Sequence, residues 1–170
     1  AHAMKLKPAA EDGAPVVVDD DDDAGEAGEA EAGVAAVKDA SPIQQVAAMS
    51  VPEKRQAAMH GSKDMRLILI KDSNKTIHPF VMQNPALGME EVEAISRMTA
   101  VHPDVLHAIA KNWTRSPNVI RNLVKNPKTP LPDAIALVEK LAVTDLRSIA
   151  KGGSVRMAIL QAARRKVTGG

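Results

Sequence analysis

The sequence predicts an all-α protein in which short helices stack on one another behind an acidic N-terminal segment. Its 170 residues include one Trp, one Phe and no Tyr, whereas a sandwich or barrel of strands normally uses more aromatic residues. Ala, Leu, Ile, Val and Met dominate the apolar composition and together favour helices. Proline recurs where helices would begin, and one helical pattern occurs twice.

The N-terminal segment, residues 1–40, is strongly acidic. It carries three Lys against eleven Asp or Glu, a net charge of 3 − 11 = −8, and includes the stretch VVVDDDDDAGEAGEAEAG. With so many charges and so few large apolar residues, such a segment buries too little surface to offset its ordering entropy, so we expect a disordered acidic tail. Its role is either that of a solubilising linker or that of an electrostatic decoy competing for the basic remainder of the chain.

From Ser41 onward, proline marks the starts of short helices, because its fixed φ and missing N–H suit the first helical position. Ser41 and Ser116 precede two of these prolines as expected N-caps. Gly61, Asn112 and Gly152 follow predicted helix ends and are expected to form left-handed C-caps. These helices are predicted in SPIQQVAAM, VPEKRQAAMHG, HPDVLHAIAKN, SPNVIRNLVKN and LPDAIALVEKL.

The stretch MRLILI, residues 65–70, is apolar on all sides and fits either a strand or a helix. We predict a buried central helix, because the neighbouring segments are helical and no partner strand is evident. Apolar spacing further predicts two core-facing stripes in the later helices. One consists of Val105, Leu106 and Ile109, and the other of Leu131, Ile135, Val138 and Leu141.

One helical pattern occurs twice. VMQNPALGMEEVEAISRM begins at Val81 and LVKNPKTPLPDAIALVEK begins at Leu123, which is 123 − 81 = 42 positions later. In both segments an Asn-Pro pair, at Asn84 and Asn126, ends one helix before the next begins. Helices this short are marginal alone in water, so each is expected to bury its apolar stripe by stacking on its neighbours. Such a unit lies in the HEAT and armadillo range of repeat lengths.

These two segments resemble the HEAT-like leucine-rich-repeat-variant family of bacterial helical repeats, in which an Asn-Pro turn precedes Thr-Pro and a leucine-rich helix. Residues 126–130, NPKTP, match that pattern, and the first segment keeps only Asn84 and Pro85. Residues 61–166 as a whole are similar to a group of bacterial conserved proteins. The resemblance implies a short HEAT-like α-solenoid over residues 41–170, acting as a binding scaffold. Some family members hold an iron–sulfur cluster on cysteines, but this chain has no Cys, so no cofactor is implied.

The sequence contains no pattern typical of a catalytic or metal site. His102 and His107 lack the HExxH spacing of a zinc helix, and no phosphate loop, Rossmann glycine pattern or nucleophile elbow occurs. No apolar run approaches the roughly 20 residues of a membrane span. We therefore expect a protein that is not an enzyme, has no metal or cofactor, and is not embedded in a membrane.

Positive charge is concentrated near the carboxyl end. Residues 111–170 carry twelve Lys or Arg against three Asp or Glu, a net charge of 12 − 3 = +9. The only Trp either plugs the groove between helical units or stands exposed as an interface anchor, since interface hot spots favour Trp and Arg. The predicted partner-binding residues are Trp113, Arg115, Arg121, Lys125, Lys128, Arg147, Lys151, Arg156, Arg164 and Arg165.

The function predicted from these features is that of a non-catalytic protein–protein interaction module of the bacterial cytoplasm, with a partner that presents an acidic surface. The absence of cysteine fits a reducing compartment. The alternative is a nucleic-acid-binding domain, in which the same cations contact phosphates and the acidic tail modulates their access. No aromatic residues alternate with the basic ones to support base stacking.

Overall fold

The computed structural model describes residues 40–152 and 154–169, and within them it contains ten α-helices and no β-strand. The predicted all-α class is therefore confirmed. The helices are α1 Pro42–Ala48, α2 Val51–His60, α3 Lys63–Leu69, α4 His78–Met82, α5 Met89–Arg97, α6 Pro103–Asn112, α7 Pro117–Lys125, α8 Leu131–Val138, α9 Val143–Ala150 and α10 Met157–Thr168. The disordered acidic tail is predicted over residues 1–40, of which 1–39 lie outside the described residues.

Proline and capping side chains set the helix starts. Pro42 lies in the first turn of α1, where the Ser41 hydroxyl accepts from the Gln44 amide at 3.4 Å. The Ser41 amide donates in return to Gln44 Oε1 at 3.0 Å, so the predicted N-cap is confirmed. Ser116 also precedes a helix, α7, but it makes no capping bond. Its hydroxyl donates to Glu93 Oε1 on α5 at 2.6 Å, because a carboxylate accepts more strongly than a neutral partner.

The helix ends follow the predictions at one of three positions. Gly152 has φ of 113°, the left-handed region that favours glycine. Asn112 is the last residue of α6, and Trp113 follows as its C-cap with φ of −123°, so the C-cap prediction for Asn112 is wrong. Gly61 is also wrongly predicted, since its φ is −71°. The absence of a side chain at Gly61 instead lets its backbone lie close to the carbonyl oxygen of Ala57, with which a Cβ would collide.

The stretch 65–70 is helical, as predicted, and forms most of α3 with Ile70 as its C-cap. Leu69 and Ile70 are fully buried. Arg66 lies in the middle of this apolar stretch, yet only 6% of its side chain is exposed. A buried guanidinium is tolerated only when a partner compensates its lost hydration, so its contacts decide how α3 is held.

Arg66 forms a two-pronged ion pair with Glu91 of α5. Its Nε donates to Glu91 Oε1 at 3.0 Å and its Nη2 to Oε2 at 2.7 Å. Its other bonds go to the carbonyl oxygens of Gly61 at 2.8 Å and Ala86 at 3.3 Å. Burial alone would raise the pKa of Glu91, but the hydrogen bonds from Arg66 and the Gly88 amide, with the Arg66 charge, outweigh it and lower the pKa. This pair joins α3 to α5.

Acidification is expected to destabilise the fold through Glu91 and Asp72. Burial would raise the pKa of Asp72, but bonds from Lys54 and the Asn74 amide, and the charges of Lys54 and His78, lower it. A carboxyl whose pKa is lowered in the folded state stabilises the fold at pH values above its unfolded-state pKa, here 4.5 for Glu91 and 3.8 for Asp72. This stabilisation is lost as the pH falls through the folded-state pKa. Each group contributes at most about 1.4 kcal/mol per pH unit.

Thermal unfolding measured from about pH 7 down to about pH 2.5 checks this expectation. The Tm should begin to fall below about pH 4.5. The Glu91→Gln variant, whose side chain does not titrate, should start less stable and show a shallower fall. Parallel curves for the two proteins would show that Glu91 does not carry the acid response.

The two Asn-Pro positions lie in matching surroundings. Asn84 Nδ2 donates to the carbonyl oxygen of Ala58, near the end of α2, at 2.8 Å. Asn126 Nδ2 donates to those of Ser96 and Met98, at the end of α5, at 2.8 and 3.0 Å. In both turns the Asn Oδ1 accepts from the amide two residues later, at 2.8 and 2.9 Å. Each buried Asn thus satisfies carbonyl groups that the end of an earlier helix leaves without an intrahelical partner.

The helices pack in a regular order around one core. Helix α2 packs on α4, α5 on α7 and α8 on α10, and α6 contacts α4, α5, α7 and α8. A second polar contact, between His107 Nδ1 and Asp133 Oδ2 at 2.6 Å, joins α6 to α8. The predicted stripe of Val105, Leu106 and Ile109 is buried. Large, fully buried side chains include Leu69, Ile70, Ile77, Ile95, Leu106, Ile109, Leu123, Ile149 and Ile159.

The stripe predicted for α8 is wrong at its first two positions. Leu131 and Ile135 are 36% and 37% exposed, and Ala134 and Leu137 are buried in their place. The contact between Asp133 and His107 requires residue 133 to face α6, which rotates Leu131 and Ile135 toward solvent. The small side chain of Ala134 lies on the buried face, where it permits close helix packing.

No helix within the described residues is long and apolar enough to cross a membrane.

Candidate partner-binding surfaces

A cleft of about 300 Å³ lies between α4 and α6 and contains the only Trp of the chain. Trp113 follows the last residue of α6; its side chain is half-buried and packs against the core, with the rest lining the cleft. Its half-buried position lies between the two arrangements predicted for it, and its role as a partner contact stays a prediction. The cleft is lined by Lys75, His78, Pro79, Met82, Gln83, Asp104, Val105, Ala108, Asn112 and Trp113, and we call it the Trp113 cleft.

Most of the Trp113 cleft is apolar, with charge confined to exposed side chains. Pro79, Met82 and Val105 line the cleft together with Trp113 and make part of its surface apolar. Lys75 and Asp104 are exposed and bring one charge of each sign. His78 is held in place by a bond from its Nε2–H to the carbonyl oxygen of Asp72 at 2.8 Å. The cleft is therefore suited to an apolar group that is anchored by packing more than by charge.

A second concavity, of about 270 Å³, lies between α5 and α7 and is lined by polar side chains. Helix α5 contributes one acid and one base, and α7 contributes two bases and two amides. Two of the predicted partner-binding residues, Arg121 and Lys125, lie here together. The lining residues are Glu93, Arg97, Asn118, Arg121, Asn122 and Lys125, and we call this surface the α5–α7 groove.

Hydrogen bonds fix the floor of the α5–α7 groove. Asn122 Nδ2 donates to the Glu93 carbonyl at 3.2 Å and to the Ser96 hydroxyl at 3.0 Å. Arg121 Nη2 donates to Asn118 Oδ1 at 2.8 Å, and its Nε lies 3.4 Å from Asp145 Oδ2 on α9. These two contacts fix the orientation of the Arg121 guanidinium.

Arg97 and Lys125 are the uncommitted cations of the groove. Both are exposed, and neither forms an ion pair with any residue in the part of the chain that the structure describes. Arg121 is paired with Asp145, and the two uncommitted cations outnumber the remaining carboxylate, Glu93, which already accepts a bond from Ser116. The groove is thus a net cationic surface able to take up carboxylate or phosphate oxygens.

The other predicted cations lie elsewhere. Lys128 lines a separate hollow beside the α3–α4 and α5–α6 connections, and Arg115 is exposed in the α6–α7 connection. Arg147 is exposed on α9 and Lys151 directly after it. Because Asp145 faces α7 and Arg147 is two positions later, about 200° around the helix, Arg147 points away from the α5–α7 groove. Lys151 follows α9 as its C-cap and does not line the groove.

Three predicted arginines belong to α10 and its start. Arg165 lines a hollow between α8 and α10, together with the exposed Ile135. Arg164 Nε donates to the Ala150 carbonyl at 3.1 Å. Arg156 is half-buried at the N-cap of α10, and its Nε and Nη2 are buried without a hydrogen-bond partner among the described residues. The predicted cations therefore do not share one surface.

One short connection links the Trp113 cleft to the α5–α7 groove. Trp113 lines the first and Asn118 lines the second, and five peptide units separate them. Their Cα atoms are therefore at most about 18 Å apart. The two surfaces are therefore neighbours along the chain, on either side of the α6–α7 connection.

Sequence reasoning missed the α5 side of the groove and the α4 side of the cleft. Arg97 and Glu93 belong to residues 41–110, where seven bases balance seven acids, so charge counting gave no signal there. Nothing in the sequence around Met82 distinguishes it from an ordinary core methionine. No group of three or more His, Asp or Glu side chains among the described residues is arranged to hold a metal ion.

Comparisons with known proteins add no relative. No family model, curated protein or solved structure matches the chain.

Proposed function

We propose that the chain is a non-catalytic protein-interaction module, a short HEAT-like α-solenoid that binds an acidic segment of a partner protein. The observation that carries this proposal is the apolar Trp113 cleft lying one short connection away from the cationic α5–α7 groove. The matching Asn84 and Asn126 turns, and the recurrent pairing of α2 with α4, α5 with α7 and α8 with α10, support the solenoid architecture.

The cleft suits one apolar side chain of a bound segment. Its volume of about 300 Å³ lies at the lower end of ligand sites, which favours one or two side chains over a large cofactor. Trp113 offers a broad, half-buried surface that is already packed against the core, so little conformational entropy is lost on binding. Such aromatic anchors carry much of the energy of interfaces.

The α5–α7 groove suits the carboxylates of the same segment. Arg121 is held in place by Asn118 and Asp145, while Arg97 and Lys125 are free to close on an incoming acid. Charge-assisted bonds of this kind add specificity and a faster association rate.

The groove favours a protein segment over nucleic acid. No aromatic side chain lines the groove to stack on bases. The apolar cleft next to it adds a contact that a phosphate backbone does not use.

A displayed library of random peptides, selected on the full chain, tests this function. We expect selected peptides to carry an apolar residue within about five positions of two or more acids, the reach set by the 113–118 connection. Trp113→Ala should weaken a selected peptide at least about 30-fold in a fluorescence anisotropy titration, the size of an interface hot spot.

A pair of matched charge reversals identifies the surface used. Arg97→Glu with Lys125→Glu should weaken binding at least about tenfold, because two cations become two acids beside the incoming carboxylates. Arg147→Glu with Lys151→Glu makes the same change of charge at two exposed cations that do not line the groove, and it should leave binding within about twofold, since distant exposed charges are screened at physiological salt. Equal losses in both variants would show that only net charge matters. Failure to select any peptide, together with salt-sensitive duplex binding that the groove variant loses, would favour the nucleic-acid function.

A further inference from the structure

The chain itself contains a segment with the composition that the two surfaces select. Residues 16–23 read VVVDDDDD, three apolar residues followed directly by five carboxylates. We propose that this segment binds in cis, with a Val in the Trp113 cleft and the Asp side chains on the α5–α7 groove, and so competes with the partner. This inference rests on the proposed function, because it assigns a regulator to the same site.

The apolar and acidic parts of the segment are adjacent, as are the apolar cleft and the cationic groove. The apolar triplet adjoins the acids without a gap, as the Trp113 cleft adjoins the groove through the 113–118 connection. The Cα atoms of Trp113 and Asn118, one on each surface, lie at most about 18 Å apart, a distance that five or six extended residues cover. A Val near position 17 and an Asp near position 22 are therefore able to occupy the two surfaces at once.

Charge and size complementarity select this segment over the rest of the N-terminal region. Five consecutive Asp residues are complementary in charge to a groove whose lining has three bases and one acid. The remaining acids of residues 24–40 are separated by Gly and Ala, and their only larger apolar side chains are the isolated Val34 and Val37. A Val side chain is small enough for a cleft of about 300 Å³.

The tether is long enough for binding within one chain. Residue 23 is 17 positions before Ala40, where the described part of the chain begins, so the two lie at most about 60 Å apart. A compact domain of roughly 130 residues has a radius of gyration of only about 14 Å, so the segment reaches any part of its surface. Tethering also gives the segment an effective concentration in the millimolar range, which lets weak contacts compete with a free partner.

Paramagnetic labelling of the full chain tests the contact. Because the sequence has no cysteine, Ala24→Cys provides a single site for a nitroxide next to the Asp run. At about 0.01 M salt, where the Debye length is about 30 Å, we expect the label to broaden the amide signals of Arg97, Trp113 and Arg121. Raising the salt to about 1 M should restore them. The same label in a chain with Asp19–Asp23 changed to Asn is the matched control and should leave these signals sharp.

Mixed samples separate binding in cis from binding between copies. One chain carries the nitroxide without isotope enrichment, and the other is isotope-enriched without the nitroxide. If the first broadens the signals of the second to the same extent, the contact is intermolecular and the inference is wrong. Broadening centred on α9, or none at low salt, would also overturn it. Trp113 fluorescence, free of any Tyr background, gives an independent readout of the same contact.

Competition distinguishes this inference from the proposed function. A library-selected peptide should bind the Asp19–Asp23→Asn chain at least about tenfold more tightly than the unmodified chain, because the competing segment is disabled. Equal affinity for both chains would reject the inference while leaving the proposed function intact. If no peptide binds either chain, the proposed function itself fails.

Discussion

Changing Glu91 to Ala is expected to lower the free energy of unfolding by about 3–5 kcal/mol, the largest loss that we expect from a single substitution. The change leaves the Arg66 guanidinium buried without its carboxylate, and it removes the acceptor of the Gly88 amide at the start of α5. Urea unfolding followed by circular dichroism measures the effect, because a two-state helical domain reports one midpoint and one slope.

Two further variants show whether this loss arises from the buried pair. Glu90→Ala changes the adjacent residue, whose side chain is 93% exposed and lies 3.9 Å from Lys63, and it should cost less than about 1 kcal/mol. Arg66→Leu combined with Glu91→Leu replaces both charges by apolar groups and should recover most of the loss. If Glu91→Ala were no more destabilising than Glu90→Ala, the pair would not hold α3 to α5.

Changing Asn126 to Ala is expected to cost about 3 kcal/mol, the second largest effect. The substitution leaves the carbonyl groups of Ser96 and Met98 and the amide of Lys128 without their partner, and a buried polar group left unpaired costs about 1–3 kcal/mol. Asn126 is 4% exposed, so water cannot readily replace the lost bonds. The same urea titration measures the change.

The controls for Asn126 separate its donor from its acceptor. Asn126→Asp keeps the oxygen that accepts from Lys128 but removes the donor, so it should lose at least as much as Asn126→Ala near neutral pH, where it also buries a charge. Asn118→Ala removes an exposed amide on the same helix and should cost less than about 1 kcal/mol. A loss at Asn126 no larger than that at Asn118 would mean that the turn does not fasten α7 to the end of α5.

The sequence is informative about where helices start and stop because those signals are local. Pro42, Pro103 and Pro117 lie in first turns, as their missing N–H and fixed φ require. The stretch 65–70 was ambiguous by itself, and its helical neighbours decided it correctly. Gly61 shows the limit, since its role depends on contact with Ala57 and not on its own φ.

The orientation of α8 shows why helix faces were harder to predict. This helix is apolar on several sides, so periodicity fits the Leu131–Ile135 stripe as well as the Ala134–Val138 stripe. A polar contact made 26 positions away in sequence, between His107 and Asp133, selects the second. Such long-range contacts have no signature in a single sequence.

Only one side of the Trp113 cleft and of the α5–α7 groove was predictable from the sequence. Arg121, Lys125 and Trp113 lie in a segment with a marked excess of bases, and counting charge was enough to select them. Arg97 and Met82 belong to a stretch with balanced charge, and they join the surfaces only because α5 packs on α7 and α4 on α6. Helix packing, which the repeat pattern does not specify residue by residue, creates the concavities.

The Asn-Pro turns also couple the local unfolding of segments that are distant in sequence. Each turn ends one helix, and its Asn donates hydrogen bonds to carbonyl groups that lie 26 to 30 residues earlier, at the end of another helix. Fraying at the end of α5 therefore requires the turn after α7 to release as well, and the end of α2 is coupled in the same way to the turn after α4. Amide hydrogen exchange in this chain should consequently be shared between segments remote in sequence, with slow-exchanging blocks that span helices instead of following them one by one.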